Sequence, residues 1–406
     1  MANSQINDTT RLDRPDGTLD ASLTGRAGLD WRKVLANGLY HVGLMRLMQK
    51  ISDRVEVEFS PQSKWPRLRS ANAPKFVILC YHRVGLGGIP LYSELPPEVF
   101  EAQMCFLKKN YRLLSLEELR RCLQEPDKCD SGVAVTFDDG YRDVYTVAFP
   151  ILHRYQIPTT VFLTVDSIET GQVAWYDRIF LILRVLPPGI FEVELDRLRR
   201  FELSSVHSRL CAALEIMSCL RALPDGRRKE CCAALEKRVK LSQNDLADRM
   251  LSWQQVQAMQ RAGIVFGSHT VSHPVVSRLT PAEMERELRE SKQILEARLG
   301  RPMLDFAFPF GKFPDCALET SSAVVTRCGY RSAMTTVPGV NTPAANPLAL
   351  RRVQIGEERD LATFALRLNQ LFLIAHSKDS ILLEPRLSSA HTLLQQSRFV
   401  KGTRDA

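Results

Sequence analysis

No two of the ten cysteines stand in the CxxC spacing of a zinc knuckle or a dithiol redox motif, although Cys231 and Cys232 are adjacent. The thiols are therefore expected to be reduced, as in a cytosolic protein. Long apolar runs are missing too, since none reaches the roughly 18 residues that cross a bilayer. The polar opening MANSQINDTTRLDRPDG has neither a basic n-region nor an apolar core. These absences point away from a membrane-spanning or exported chain and toward a cytoplasmic one, with peripheral contact at the inner membrane face left open. Blocks of one charge are also lacking. The formal net charge is +8, but the Lys and Arg residues are scattered and no nucleic-acid-binding motif accompanies them, so no nucleic acid partner is expected. The chain has no internal repeat and no low-complexity tract.

What is present is enough for a large core, with 406 residues of which 45% are hydrophobic. Residues 1–30 are rich in Asp, Thr, Ser, Arg and Gly without periodicity and read as a mobile tail. From Trp31 to Ile51, Val34, Leu35, Leu39, Val42, Met45 and Met48 recur at helical spacing beside Arg32, Lys33, Arg46 and Lys50. That pattern predicts an amphipathic helix, lying on anionic lipid or packing on its own domain. Residues 1–74 thus form an N-terminal helical extension. FVILCYH, starting after Lys75, reads as a buried strand, as do GVAVTF, PTTVFLTV and IVFGSH. Between them lie helices with capping boxes, at Ser115 with Glu118 and at Thr280 with Glu283, the second stopped by Gly300. Repeated alternation of strand and helix predicts an α/β fold, a parallel barrel or sheet over 75–375 with functional residues at the strands' carboxyl ends. Residues from about 171 to 250 break the rhythm and read as an inserted helical cap. WYDRIF at its start offers an aromatic contact to a ligand, or Trp175 and Tyr176 simply anchor the insertion. Residues after about 375 read as a peripheral helix and a C-terminal tail.

The chemistry-bearing residues cluster at the predicted strand ends. Asp138 and Asp139 follow GVAVTF, and Gly140 permits a tight turn that brings both carboxylates into one pocket. Alone, DDG is an ordinary surface turn. As a pair, the like charges conflict unless a cation binds one carboxylate and leaves the other as a base. GSHTVSHP follows another strand and spaces His269 and His273 by four residues, which one helical turn would place on the same side. With Asp139 these histidines make a set of two imidazoles and one carboxylate that suits zinc, cobalt or another first-row divalent ion. Such an ion lowers the pKa of bound water and polarises a carbonyl while Asp138 takes the proton, the machinery of amide or ester hydrolysis. In FAFPFG, Pro309 and Gly311 shape a loop whose main chain is placed to donate to an oxyanion, and whose rings, Phe308 and Phe310, are placed to wall a substrate site. The same segment also reads as a core strand and turn. His82, ending FVILCYH, is the candidate to protonate a leaving nitrogen.

TFDDG, SHTVSH and FAFPFG, in that order and spacing, resemble the polysaccharide deacetylase family, the NodB-homology or carbohydrate esterase family 4 domain. The likeness covers roughly residues 75–355 apart from the insertion, and YHRV resembles the form in bacterial exopolysaccharide deacetylases. It implies a deformed (β/α)7 barrel that removes acetyl groups from N-acetylated sugars. It also implies Asp138 as base, Asp139, His269 and His273 as metal ligands, and His82 as the acid that protonates the amine. The chain departs from the family in two respects: the C-terminal Leu and His motif of many relatives is not visible, consistent with His82 taking its role, and an Arg often stands shortly before the Pro of the third motif, where this chain has Asp305, Phe306, Ala307 and Phe308. Arg351 or Arg352, in the strand-like LRRVQI, is placed to supply that charge from another direction, and Arg352 is also taken as a substrate-binding candidate. The expected substrate is an N-acetylated sugar in a polysaccharide or a lipid-linked glycan precursor. Two alternatives stay open: hydrolysis of a non-sugar amide or acetyl ester on the same site, and a non-catalytic carbohydrate-binding protein that keeps the barrel.

Overall fold

A computed structural model of the chain describes residues 73–85, 94–239, 249–356, 358 and 360–374. The expected N-terminal tail, the Trp31–Ile51 helix and the C-terminal tail lie outside these residues.

FVILCY and GVAVTF are buried along their whole length, as strands covered on both faces must be. They form β1 (Phe76–Tyr81) and β2 (Gly132–Phe137), paired in parallel from Phe76 with Gly132 to Tyr81 with Phe137. β3 (Thr159–Leu163) follows on β2. An antiparallel hairpin, β4 (Ile190–Glu194) and β5 (Leu198–Glu202), stands apart. The main sheet continues with β6 (Val265–Ser268), β7 (Asp305–Ala307), β8 (Ser332–Met334) and β9 (Val353–Gln354). Its order is β8-β7-β6-β3-β2-β1-β9, with all neighbours parallel. The sheet curls until its edges meet across one segment: Leu350 bridges to Met334 of β8, and Val353 and Gln354 pair with Leu79 and Cys80 of β1. The result is a parallel α/β barrel, as the strand–helix alternation predicted, in the deformed seven-stranded form that the family resemblance implied.

Strand alternation sorts the core into an inside and an outside. Phe76, Ile78, Ala134, Phe162, Ala307, Met334 and Leu350 fill the barrel, while Val77, Leu79, Val133, Val135, Val161, Leu163 and Phe306 pack under the surrounding helices. Gly267 of β6 is a packing glycine, because a Cβ there would stand 2.5 Å from two ring carbons of Phe162. Gly267→Ala is therefore expected to cost about 1–3 kcal/mol through overpacking, read as a lower urea midpoint. An unchanged midpoint would mean that Phe162 can step aside.

Both expected capping boxes are present, Ser115 with Glu118 opening the Leu116–Gln124 helix and Thr280 with Glu283 opening Pro281–Leu299, where Gly300 ends the helix in the left-handed conformation. Other expectations need correction. The insertion is not purely helical, because FEVEL alternates apolar and polar residues and forms β4 of the hairpin. It holds a core of its own, in which Phe191, Val193, Phe201, Ile216 and Leu220 meet Tyr141 and Met250. The thiols are not all reduced, since Cys122 and Cys129 form a disulfide. The last described helix, Leu361–Ile374, packs on the barrel with Phe364, Leu368 and Leu371 buried in the main core, and the helix expected after about 375 lies outside the described residues.

Candidate active site

Asp138 extends the β1–β2 ladder, its N–H donating to the Tyr81 carbonyl at 3.0 Å. The chain then turns through two left-handed residues, Asp139 at φ 72° and Gly140 at φ 83°. Aspartate tolerates that region better than most residues. At Gly140 a Cβ would in addition meet Leu163 at 2.9 Å. The turn is pinned on its far side by the segment returning from the insertion, Leu251 N–H donating to the Gly140 carbonyl at 2.9 Å. Two adjacent carboxylates are thereby sent to different partners.

Asp139 Oδ1 lies 3.4 Å from Nε2 of His269 and 3.4 Å from Nε2 of His273. Both its carboxylate oxygens are buried without a well-formed hydrogen bond. One ligand atom from each of the three residues lies within 4.8 Å of the others. Bare buried oxygens are costly unless something completes them. Two ligands of a tetrahedral ion at about 2.0–2.1 Å would stand roughly 3.3–3.4 Å apart, so the residues fit a divalent metal. Burial pushes the Asp139 carboxyl upward, but the two imidazoles outweigh it and hold the group well below the usual carboxylate value.

Each imidazole is oriented from behind. His269 N–H donates to Leu163 of β3, and its Nδ1 sits 2.8 Å from the Ala307 carbonyl, which leaves Nε2 to face Asp139. Burial acts to lower His269, and Asp138 and Asp139 reverse it; at His273 burial wins and the imidazole is pushed down, toward the neutral form a metal ligand needs. The expected helical turn between the histidines is not there. Instead Thr270 (φ 69°) and His273 (φ 52°) are left-handed, and the loop is held by Glu287, which accepts from Val271 N–H, Ser272 N–H and the Ser272 hydroxyl at 2.7–3.0 Å. Trp175 Nε1–H donates to the His273 carbonyl at 3.0 Å, and the rings of Tyr176 and Phe310 lie 4.8 and 4.9 Å from the His273 ring. The first insertion helix thus anchors the loop, as one of the two readings of WYDRIF had it.

Asp138 is gripped differently. Arg352, fully buried, places Nη1 at 2.7 Å from Oδ1 and Nη2 at 2.6 Å from Oδ2, and is itself held by the Thr335 carbonyl. Burial acts to raise the Asp138 carboxyl, but Arg352, followed by His269, overcomes it and keeps the group below its ordinary value. Arg352 therefore supplies the charge missing from the third motif. Its assignment as a substrate contact is corrected, because its side chain is enclosed and committed to Asp138. Arg351 points elsewhere, to the Pro338 carbonyl and the Phe313 ring. His82, half-buried, comes together with Cys80 and Asp138, one ligand atom of each within 4.8 Å of the others. The Cys80 thiol donates to Asp138 Oδ2 at 3.4 Å.

In the FAFPFG loop, Phe308 packs inside the core against Phe306, and its N–H is spent on the Met334 carbonyl. Its assignment as a substrate wall is corrected for that reason. Phe310, at φ 61°, is the ring that borders the cluster, while Gly311 N–H closes back on the Pro309 carbonyl. Glu287 and Cys80 escaped the sequence reading, since a helix glutamate and a strand cysteine carry no local mark of what they face.

A parallel barrel whose strand ends gather two imidazoles, one bare carboxylate and a second carboxylate held by arginine has the make-up of a hydrolase. The chain belongs to the polysaccharide deacetylase family, whose model matches residues 125–333, just over half of the chain. It is 22% identical over 309 residues to YxkH of Bacillus subtilis (strain 168), a protein named for the same family, covering 76% of this chain and 80% of that one. Among solved structures it resembles the Streptococcus pyogenes deacetylase PplD in complex with acetate, with 22% identity and a TM-score of 0.50 over 73% of this chain and 99% of that one. A second likeness is to IcaB from Ammonifex degensii, with 20% identity and a TM-score of 0.48 over 74% of this chain and 97% of that one.

Proposed function

We propose that the protein hydrolyses the N-acetyl group of an amino sugar in a polysaccharide or lipid-linked glycan, using a divalent ion held by Asp139, His269 and His273. The observation that carries this reading is the division of labour between neighbours: Asp139 is bare and faces two imidazoles, while Asp138 is tied to Arg352. A bound ion, zinc before cobalt or another first-row metal, supplies Lewis-acid polarisation of the acetyl carbonyl and acidifies water. Asp138, kept ionised by Arg352, accepts the proton of the attacking water. Within 308–311, the N–H groups of Phe308 and Gly311 are engaged and Pro309 has none, which leaves the Phe310 N–H to donate to the developing oxyanion. His82, beside Asp138, delivers a proton to the departing nitrogen. The reading as a non-catalytic scaffold leaned on the absent motif arginine, and Arg352 takes that support away.

The test is acetate release from N-acetylglucosamine oligomers by purified protein supplied with zinc or cobalt. Chelation is expected to stop the release and metal to restore it. Glycan binding without acetate release under any metal would favour the scaffold; release only from esters or non-sugar amides would move the substrate class.

A further inference from the structure

Behind the metal-site loop lies a cavity of about 410 Å³ that the chemistry above does not use. Its floor is the end of β3 and the Val165–Thr170 helix, with Thr164 and Asp166, beside Ser272 of the histidine loop, and its roof is the insertion, with Trp175, Arg178 and Lys229. The volume is within the range of small-molecule sites. Thr164, 2% exposed, leaves its hydroxyl buried without a partner on this wall. An orphaned buried hydroxyl is a standing cost that a ligand oxygen would relieve.

The charges on the wall narrow the ligand. Arg178 is paired with Glu236 at 3.3 Å, Lys229 with Asp225 at 2.9 Å, and Arg228 with Asp225. Each cation is already matched, and the Asp166 carboxylate also faces the space, so the cavity does not favour an anion. Hydroxyls, an amide at Gln172 and a carboxylate instead suit a neutral ring bearing many hydroxyls. Trp175 borders the cavity as a fixed part of its wall, its Nε1–H holding the His273 carbonyl and Arg228 lying over its ring.

We infer that this cavity is a secondary subsite for a neutral sugar of the glycan, built jointly by insertion and barrel. The inference rests on the carbohydrate reading of the active site. Ala233 lies exposed on the insertion helix Asp225–Lys237 at the cavity wall, so Ala233→Trp fills the space without entering a core. Thr164→Val keeps the shape and removes the hydroxyl. Calorimetric titration with the N-acetylglucosamine tetramer is expected to show affinity lowered about tenfold in Ala233→Trp and roughly threefold to tenfold in Thr164→Val. Metal stoichiometry and kcat/KM on the N-acetylglucosamine monomer should stay within about twofold of the parent for Ala233→Trp. Tetramer binding unchanged in both variants, or monomer and tetramer turnover falling together, would overturn the subsite. So would inorganic phosphate raising the Tm of the parent but not of Ala233→Trp, which would make the cavity an anion site. Because binding is read without catalysis, the subsite can fail while acetate release stands, and the reverse.

Discussion

Asp138→Asn is expected to lower kcat for acetate release about a thousandfold or more, within the range by which a positioned base contributes, while metal stoichiometry stays at the parent value. The amide keeps the shape of the carboxylate but cannot accept the proton of water. Asp139, His269 and His273 do not depend on it, since the turn between the two aspartates is fixed by backbone bonds from Tyr81 and Leu251. Asn also presents one oxygen and one NH2 to an arginine fork that makes two donor bonds, so a modest loss of stability accompanies the change. Turnover near the parent value would give the base to another group. Loss of the metal along with turnover would make Asp138 a ligand.

Arg352→Met is expected to act on stability and chemistry together. Both members of the pair are at most 1% exposed. Removing the cation leaves a carboxylate enclosed in the barrel without its partner, a change that costs about 3–5 kcal/mol when such pairs are broken. The carboxyl can avoid that cost by taking up a proton. Burial already pushes it in that direction, and Arg352 is the leading influence opposing it. A protonated Asp138 is no base, so kcat should fall by at least tenfold with KM changed less, alongside a clearly lower denaturation midpoint. Arg352→Lys, which restores charge without the fork, should recover part of the stability and less of the rate. A lower midpoint with kcat intact would confine Arg352 to a structural role.

The strands were legible because burial on both faces writes continuous apolar runs, as in FVILCY and GVAVTF, and the capping boxes marked two helix starts. That Asp139, His269 and His273 come together was legible because Asp139 and His269 stand just past strand ends and His273 follows one short loop later. Arg352 was legible only as a possibility, since its partner lies 214 positions away and nothing local says which of two adjacent arginines turns inward. Alternation decides it: Val353 packs outside, so Arg352 faces the barrel. The His269–His273 turn was misread because i to i+4 spacing suits a helix, whereas a buried glutamate on another element holds this loop open. In the insertion, the period-two signal of FEVEL was present and was outvoted by the Arg- and Leu-rich helices around it.

The seam formed by Leu350 to Gln354 joins two matters usually kept separate. It zips the first strand of the barrel to the last, and the same short stretch carries Arg352, the buried counter-charge of Asp138. A nascent chain, or one frayed at this join, holds every residue of the TFDDG and SHTVSH motifs while Asp138 still lacks its partner. Under the proposed reading, the catalytic base is therefore completed only by the last stitch of the fold.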